Sequence, residues 1–388
     1  MKIEVAKSDL ENALAIPRIA VGSGEDLSAH YLFRVRGEGV EILAQDLRVF
    51  GSASISGCQH DGEEGDAFTV ESWRLDKWLS GVSGNKSLTL ESREGGEIVA
   101  TGSRSKTRFR SLDPTKFPFW DDLYSNATDV GEISPVSLAR ALNCSRWFVS
   151  ADDTAKPELC QVEAVEGVLW ATDRRALASV EMPRLPDLAV RIPGKDVSAL
   201  IRFLTDKVTQ GSNITIKQAE RAFEEGGGAF AVFHRPDGAY LGVTRPTSSF
   251  PTLNVDREAE DEVSLKIDKD EFTSAIEVLL SGAPKNHKSI TFSYDQESKA
   301  VRLSMPCEAG DVVDYLLEQA SVENGEKWET DFTIDFQYVK GIADTFKLQT
   351  LDLGVNKRGR GGYVSFRYSD EEDDGKGNRY YSVIVWRT

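Results

Sequence analysis

KIEVAKSDLENAL, Lys2–Leu14, carries the pattern on which the fold reading turns. With Val5 as zero, apolar residues follow at +5, +8 and +9: Leu10, Ala13 and Leu14. Val5 closes a short alternating strand, and positions three and four apart share one stripe of an amphipathic helix. The stretch therefore reads as a strand running into a helix.

The frame returns at Ile133, with Leu138, Ala141 and Leu142, and at Ile267, with Phe272, Ala275 and Ile276, spaced by 128 and 134 residues. A second series interleaves: Val70 with Leu75, Trp78 and Leu79; Ile192 with Val197, Leu200 and Ile201; Ile334 with Val339, Ile342 and Ala343. Six evenly spaced copies mark an internal repeat. Ser8, Ser72, Ser134 and Asp268 stand where N-caps are wanted. After each helix come alternating segments broken by Gly, Asn or Asp, such as VEILAQD, VEAVEGVLWATD, SITFSYD and YYSVIVWRT. The expected fold is α+β: six strand-helix-strand-strand-strand units, two per domain, with helices on one face of antiparallel sheets. FPFWDDL from Phe117 and FPTLNVD from Phe250 occupy equivalent places and set boundaries near 125 and 259, giving three domains, 1–125, 126–259 and 260–388.

A chain of 388 residues exceeds one ordinary core, and 40% hydrophobic with 9% aromatic residues suffices to fill several. No run approaches the roughly 18 apolar residues of a membrane helix, and Lys2 and Glu4 put both signs of charge within the first four positions, unlike a signal peptide. A cytoplasmic protein is expected. Cys58, Cys144, Cys160 and Cys307 lie far apart without a C-x-x-C pair, which predicts reduced, mostly buried thiols rather than a zinc site or disulfides. DEEDDGKGN from Asp370 opens like a calcium loop, but its third position is Glu372 and its twelfth Tyr381, so the ligand set fails. His30, His60, His234 and His287 are scattered, and no Ser-His-Asp set or Gly-rich phosphate loop is present. Neither enzyme chemistry nor a metal or cofactor has an address.

A formal net charge of -17 opposes nucleic-acid binding if it is spread evenly. It is not. The six helical stretches carry Lys7, Arg74, Lys77, Arg140, Lys195, Arg202, Lys269, Lys340 and Lys347 against Asp9, Glu11, Asp76, Asp196, Asp268, Asp270, Glu271, Glu277, Asp335 and Asp344. That is nearly balanced, so the acidity belongs mainly to strands and loops.

Several segments together resemble the bacterial-type sliding clamp, the beta subunit of DNA polymerase III, over the whole length: MKIEVAKSDLENAL, FRSLDPTKFPFWDDL, ATDRRALAS from Ala171 with SFPTLN downstream, and the terminal YSVIVWRT. ATDRRALAS is close to the family signature Ala-Thr-Asp-x-His-Arg-Leu-Ala. The resemblance implies a head-to-tail homodimeric ring around double-stranded DNA, helices lining the hole and sheets outside, with no catalysis and no cofactor. It also implies sequence-independent phosphate contacts, DNA polymerase and clamp-loader peptides as partners, and a nucleoid-associated location in the cytoplasm.

By matched position, the resemblance places a partner-peptide groove at Leu159, Thr172, Arg175, Leu177, Pro251, Val383, Ile384, Trp386 and Arg387. Two departures bear on peptide preference: the family's His-Arg reads Arg175-Ala176, and its Met-Pro-Met reads Ile384-Val385-Trp386. Removing Val383–Thr388 is expected to abolish peptide binding and leave the dimer intact. DNA-facing positions are Arg74, Lys77, Arg140, Lys156, Lys195, Arg202, Lys340, Lys357 and Arg358. For the dimer interface, Arg104, Lys106, Arg108 and Arg110 alternate on one strand, and the resemblance implies an acidic strand opposite it, for which Glu308, Asp311 and Asp314 are available, with Leu279 and Leu280 as the apolar centre. Plainer readings compete: core for Leu177 and Ile384, a solvated edge for the arginines, ordinary helix faces for the lysines. The alternative functions are a clamp-like partner-binding scaffold that does not encircle DNA, and an α+β enzyme without a recognisable motif.

Overall fold

The computed structural model describes residues 1–388 except 56, 85, 118–125, 152–155, 186–189, 222–227, 246–247, 249, 252, 254–256, 258, 308–309, 359–360, 370–376 and 388; at 220, 221, 228, 358, 386 and 387 only the backbone is described. Among the described residues there are seven helices: α1 (Lys7–Leu14), α2 (Pro17–Ala20), α3 (Ser72–Gly81), α4 (Pro135–Ser145), α5 (Gly194–Leu204), α6 (Lys269–Gly282) and α7 (Phe336–Phe346). All but the short α2 sit where the repeat places them, each directly after a strand: Lys2–Ala6, Ala67–Glu71, Thr128–Ile133, Val190–Pro193, Val263–Asp268 and Phe332–Asp335. Each is followed by three further strands, which completes six modules of one build. Two short strands, Gln59–His60 and Ser321–Glu323, stand outside the pattern.

The zero positions and the +5, +8, +9 stripe are buried in every module, with Trp78 and Ile201 half-buried. Each such side chain contributes about 1.5–3 kcal/mol by leaving water, so the stripe holds the helix to its sheet. The caps depart from expectation. Ser8 and Ser72 lie inside their helices, because the N-caps are Ala6 and Glu71, neither with a side-chain cap bond. Where the zero residue is followed directly by aspartate, capping occurs: the Asp268 carboxylate accepts from Glu271 N at 2.8 Å, and that of Asp335 from Gln337 N at 2.9 Å. Ser134 occupies the matching place before Pro135.

Modules are joined in pairs by exchange of their first strands. Lys2–Ala6 of module one pairs with Ser87–Arg93 of module two, and Ala67–Glu71 of module two with His30–Arg36 of module one. The same exchange links modules three and four (Thr128–Ile133 with Ile214–Arg221, Val190–Pro193 with Gln161–Val165) and modules five and six (Val263–Asp268 with Thr350–Arg358, Phe332–Asp335 with Ser289–Asp295). Every pairing is antiparallel, as expected of consecutive meander strands.

Two compact units result, Met1–Val136 with Lys195–Thr247, and Ser137–Gly194 with Ser248–Thr388. In the first, the last strand of module four, Tyr240–Arg245, pairs with the last strand of module one, Val49–Ile55, making an eight-stranded sheet beside a five-stranded one. In the second, the last strand of module three, Ala176–Glu181, pairs with the last strand of module six, Arg379–Arg387, within a branched sheet of 13 strands. We call these two last-strand pairings seams. At the first, Phe50 lies over Gly242, where an added Cβ would overlap the ring, and it meets Phe230 and Tyr240 edge-on at 5.7 and 6.2 Å.

Candidate functional site

The turn between strands Val168–Thr172 and Ala176–Glu181 is built by its own polar side chains. The Asp173 carboxylate accepts from Arg175 N (2.8 Å) and Ala176 N (2.9 Å), and the Thr172 hydroxyl donates to Ala176 O (2.7 Å) while accepting from Arg174 N. Arg174 takes a left-handed conformation, φ 77°, which the Asp and Thr bonds hold in place. The Tyr338 hydroxyl of α7 donates to Asp173 and its ring stacks on Phe148. Burial first, and then the bond to Asp173, push the Tyr338 phenol above its ordinary range, so it stays a donor. The two arginines are left exposed at the turn. Neither is tied to a phosphate-binding geometry; they border a corner made by the second seam and α7.

Register assigns the neighbouring side chains to faces. Thr172, Leu177, Val383 and Ser365 form one row across four strands, and Trp170, Ser179, Tyr381 and Arg367 the next row on the same face. Ala176, Ile384 and Val364 point to the opposite face, the one on which Tyr380 meets Phe346 of α7 at 4.5 Å. Leu177 and Ile384 therefore do not share a surface, as the groove expectation requires, because they stand at positions of opposite parity. Ile384 is core at 2% exposure, Leu159, Thr172 and Leu177 are buried, Val383 and Pro251 are half-buried, and Arg175 is exposed. The side chains of Trp386 and Arg387 fall outside the described residues. Val385, unpredicted, is 50% exposed, and its N–H donates to Arg175 O at 2.7 Å.

A second set of contacts on this face, made by Arg257, Ala259 and Asp261, has no signal in the sequence pattern. Arg367 donates to Arg257 O (3.1 Å) and Ala259 O (2.7 Å) and pairs with Asp261, which also accepts from Asn356 and Ser365. Arg257 lies over Trp170 at 4.8 Å and pairs with Glu181, which Arg379 reaches at 2.7 Å. Arg257, Ala259 and Asp261 are thus fastened at the Thr172–Leu177 face by guanidinium groups. Trp170, Tyr381 and Arg367 alternate into one row only once the register is known. Register is what the sequence lacks.

The strand carrying the predicted basic row begins at Lys106, so Arg104 lies in the turn before it. Lys106, Arg108 and Arg110 are exposed and Phe109 is buried, with Trp78 packed edge-on against it. Among the described residues this strand pairs only with Glu97–Thr101. The strand Val312–Leu317 likewise pairs only with Ala300–Pro306. Its rim carries exposed Asp311, Asp314 (paired with Arg302), Val312 and Leu316, and nearby α6 exposes Val278 and Leu280. Leu279, expected at an apolar contact, is instead fully buried beneath α6, because it belongs to the helix's core stripe. Glu308 lies outside the described residues.

Exposure resolves the charge balance of the helices. Arg74, Lys77, Lys195, Arg202, Lys340 and Lys347 are exposed, but of the acids only Asp270, Glu277 and Asp344 are. The remaining acids cap helices, pair, or are at least half-buried, as Asp76 does with Arg18 at 2.8 Å. Arg140 and Lys156 are half-buried. Lys357 is exposed and pairs with Glu329 at 2.5 Å, and the Arg358 side chain is not described. Cys144 is buried, and burial pushes its thiol up to about 12; Cys58, Cys160 and Cys307 are only half-buried, so one thiol rather than most is sequestered. Among the described residues no cluster of His, Cys, Asp and Glu could hold a metal, and no helix is long and apolar enough to cross a membrane. The calcium-loop look-alike at 370–376 lies outside the described residues.

No protein-family model and no curated protein matches the sequence. Solved structures do. The DNA polymerase III beta subunit of Pseudomonas aeruginosa superposes with a TM-score of 0.75 at 15% identity, covering 100% of both chains. The DNA polymerase sliding clamp of Bacillus subtilis gives 0.77 at 13% identity over 100% of this chain and 99% of its own. The griselimycin-bound clamp of Bartonella birtlesii gives 0.77 at 15% identity, with 100% and 99% covered. The chain has the sliding-clamp fold. At 13–15% identity over the full length, the likeness is one of fold.

Proposed function

We propose that this chain is a DNA sliding clamp, a processivity factor that closes around duplex DNA as a homodimeric ring and tethers a polymerase and other partners. The observation that carries this reading is the unequal fate of the last strands. Four of the six modules join through them in two seams, which leaves the last strand of module two, Lys106–Arg110, and of module five, Val312–Leu317, as edges. One is basic, the other acidic and apolar. A third seam of the same kind, formed between copies, joins a module two to a module five, and two such seams close a dimer by twofold rotation. Bare edges of this length invite pairing, and opposite charge gives them partner and register.

In the seams within the chain, helices approach through their C-terminal ends: Ala15, Ile16, Arg18 and Ile19 line one pocket with Arg202, Thr205 and Asp206, and Asn143 of α4 donates to Thr345 of α7. The same positions in the proposed third seam bring Ser80 and Gly81 of α3 to Glu277 and Val278 of α6, with Lys77 one turn away. Exposed Val278 and Leu280 then gain cover. We read the chain as three domains of two modules each, with the exposed cations of α3, α5 and α7 facing phosphates through sequence-blind contacts.

The partner groove we place on the Thr172–Leu177–Val383 face, with Arg175, Pro251 and Val385 accessible at its rim. Deleting Val383–Thr388 is not a clean test of it, since the backbone of residues 383–387 pairs with strands on both sides. The decisive experiment is mass in solution, followed by retention on a nicked circle before and after the circle is cut. A dimer that stays on the circle and is lost on linearisation is the expected result; a monomer never topologically linked to DNA overturns the reading. That outcome would favour the scaffold alternative.

A further inference from the structure

The third position after the zero residue is occupied by Ser8, Trp73, Val136, Lys195, Asp270 and Gln337 in the six modules, and only α3 places an aromatic ring there. Trp73 is 54% exposed. It is not core, since α3 buries Ser72, Leu75 and Leu79. Nor does its place belong to a seam: Val136, Lys195 and Gln337 remain exposed on helices whose other ends meet a neighbour. An exposed tryptophan two turns from the helix end that makes such contacts calls for another occupant.

Its surroundings say which. The indole N–H donates to Glu71, whose other oxygen pairs with Arg74 at 2.6 Å. Arg74 lies 5.3 Å from the ring centroid and the Lys77 ammonium 5.9 Å. The remaining charged neighbour on the helix, Asp76, is taken up by Arg18 and the Tyr31 hydroxyl. A ring anchored through its N–H, with the Arg74 and Lys77 cations lying over it and its nearest carboxylate already engaged by Arg74, combines an aromatic surface with positive charge. That pairing is how single-stranded nucleic acid is held without regard to sequence, because every base has a face to stack and every residue a phosphate.

We propose that Trp73 is a stacking platform for an unpaired nucleobase, with Arg74 and Lys77 on the flanking phosphates. This rests on the proposed clamp function and adds to it a distinction between closed duplex, whose base faces are covered, and DNA with a single-stranded extension.

The test uses the full chain at low ionic strength with two probes: a hairpin duplex without unpaired ends, and the same duplex carrying an oligothymidine overhang. The wild type should favour the overhang probe. Trp73→Ala should lose that preference, by about tenfold in Kd, and leave the hairpin affinity and its salt dependence unchanged, while Trp73→Phe keeps most of the preference. Lys77→Gln should weaken both probes and flatten the salt dependence. Equal loss of both probes in Trp73→Ala, or an unchanged preference, overturns the platform. Loss of self-association with the DNA preference intact assigns the ring to a protein contact and also overturns it. If the wild type binds the two probes equally, the platform alone falls; if it binds neither, the clamp reading falls with it.

Discussion

The two seams solve one problem with different chemistry. In the first unit four residue pairs, Tyr240↔Ser52 to Val243↔Val49, are locked by an aromatic plug, Phe50 over Gly242 against Phe230 and Tyr240. In the second, six pairs from Ala176↔Ile384 to Glu181↔Arg379 need no plug in the sheet, and the rim is closed by Glu181 with Arg379 and Arg257. There the aromatic has moved to the helices, where Trp147 lies against Gly341 of α7 so closely that a Cβ would overlap its indole. A last-strand joint thus fixes geometry and leaves the filling free. The third joint proposed between copies, closed by basic and acidic edges, is one more variation on this reading.

The comparison can be broken at its strongest point first. Phe50→Ala should cost about 3–5 kcal/mol in urea unfolding, the range for emptying a large buried aromatic site; a cost below about 1 kcal/mol would show that the first seam is held by its strands alone. Next, the double reversal Lys106→Glu with Arg108→Glu should raise the dimer dissociation constant by roughly 10–100-fold in sedimentation, with partial recovery on adding Asp314→Lys. If mass is unaffected, the proposed third seam is wrong. The second seam has a smaller test of its own. An interior helical glycine costs about 1 kcal/mol relative to alanine, so Gly341→Ala should stabilise α7 unless the Trp147 seat outweighs propensity. We expect destabilisation by about 1–3 kcal/mol from overpacking, turning into stabilisation when Trp147→Ala is present.

The smallest effect is electrostatic. Asp196, in the first turn of α5, is 2% exposed and 3.8 Å from Arg48, the residue before the plugged strand, and its Oδ2 has no hydrogen-bond partner among the described residues. Burial raises its pKa, with Asp46 adding to the rise and Arg48 and Lys195 opposing it. The folded chain then holds this proton to higher pH than the unfolded chain does. Stability falls as pH rises from the unfolded carboxylate value through the folded one, and the cost is complete above that. Asp196→Asn should be modestly more stable than wild type at neutral pH, with the gap closing as pH falls. A gap that widens in acid would reverse the assignment.

The repeat was legible because a helix held to a sheet must be apolar at three and four residues, whatever else mutates; Val5 through Leu14 shows it as clearly as Ile334 through Ala343. Strand exchange and the seams were not, since they are pairings between segments far apart, and nothing in Lys2–Ala6 alone names Ser87–Arg93 as its neighbour. The site shared that limit. Matched position brought Thr172, Leu177 and Val383 into one row, but face parity separated Ile384 from them and core burial removed Leu279, and both follow only from register. Capping failed at Ser8 and Ser72 for a local reason: the helix starts directly after the strand, leaving the cap to whichever residue comes next.

The exchanged first strands also bear on how the chain is born. The strand Lys2–Ala6 meets its full-length partner only at Ser87–Arg93, and Val49–Ile55, already paired with Gly39–Gln45, meets its second neighbour only at Tyr240–Arg245. A nascent chain leaving the ribosome therefore carries open sheets for much of its synthesis, and no single module can be completed, trimmed away or duplicated without its mate. Contacts so remote along the chain slow folding and prolong exposure of apolar strands, which makes early synthesis, rather than the finished protein, the stage most open to aggregation.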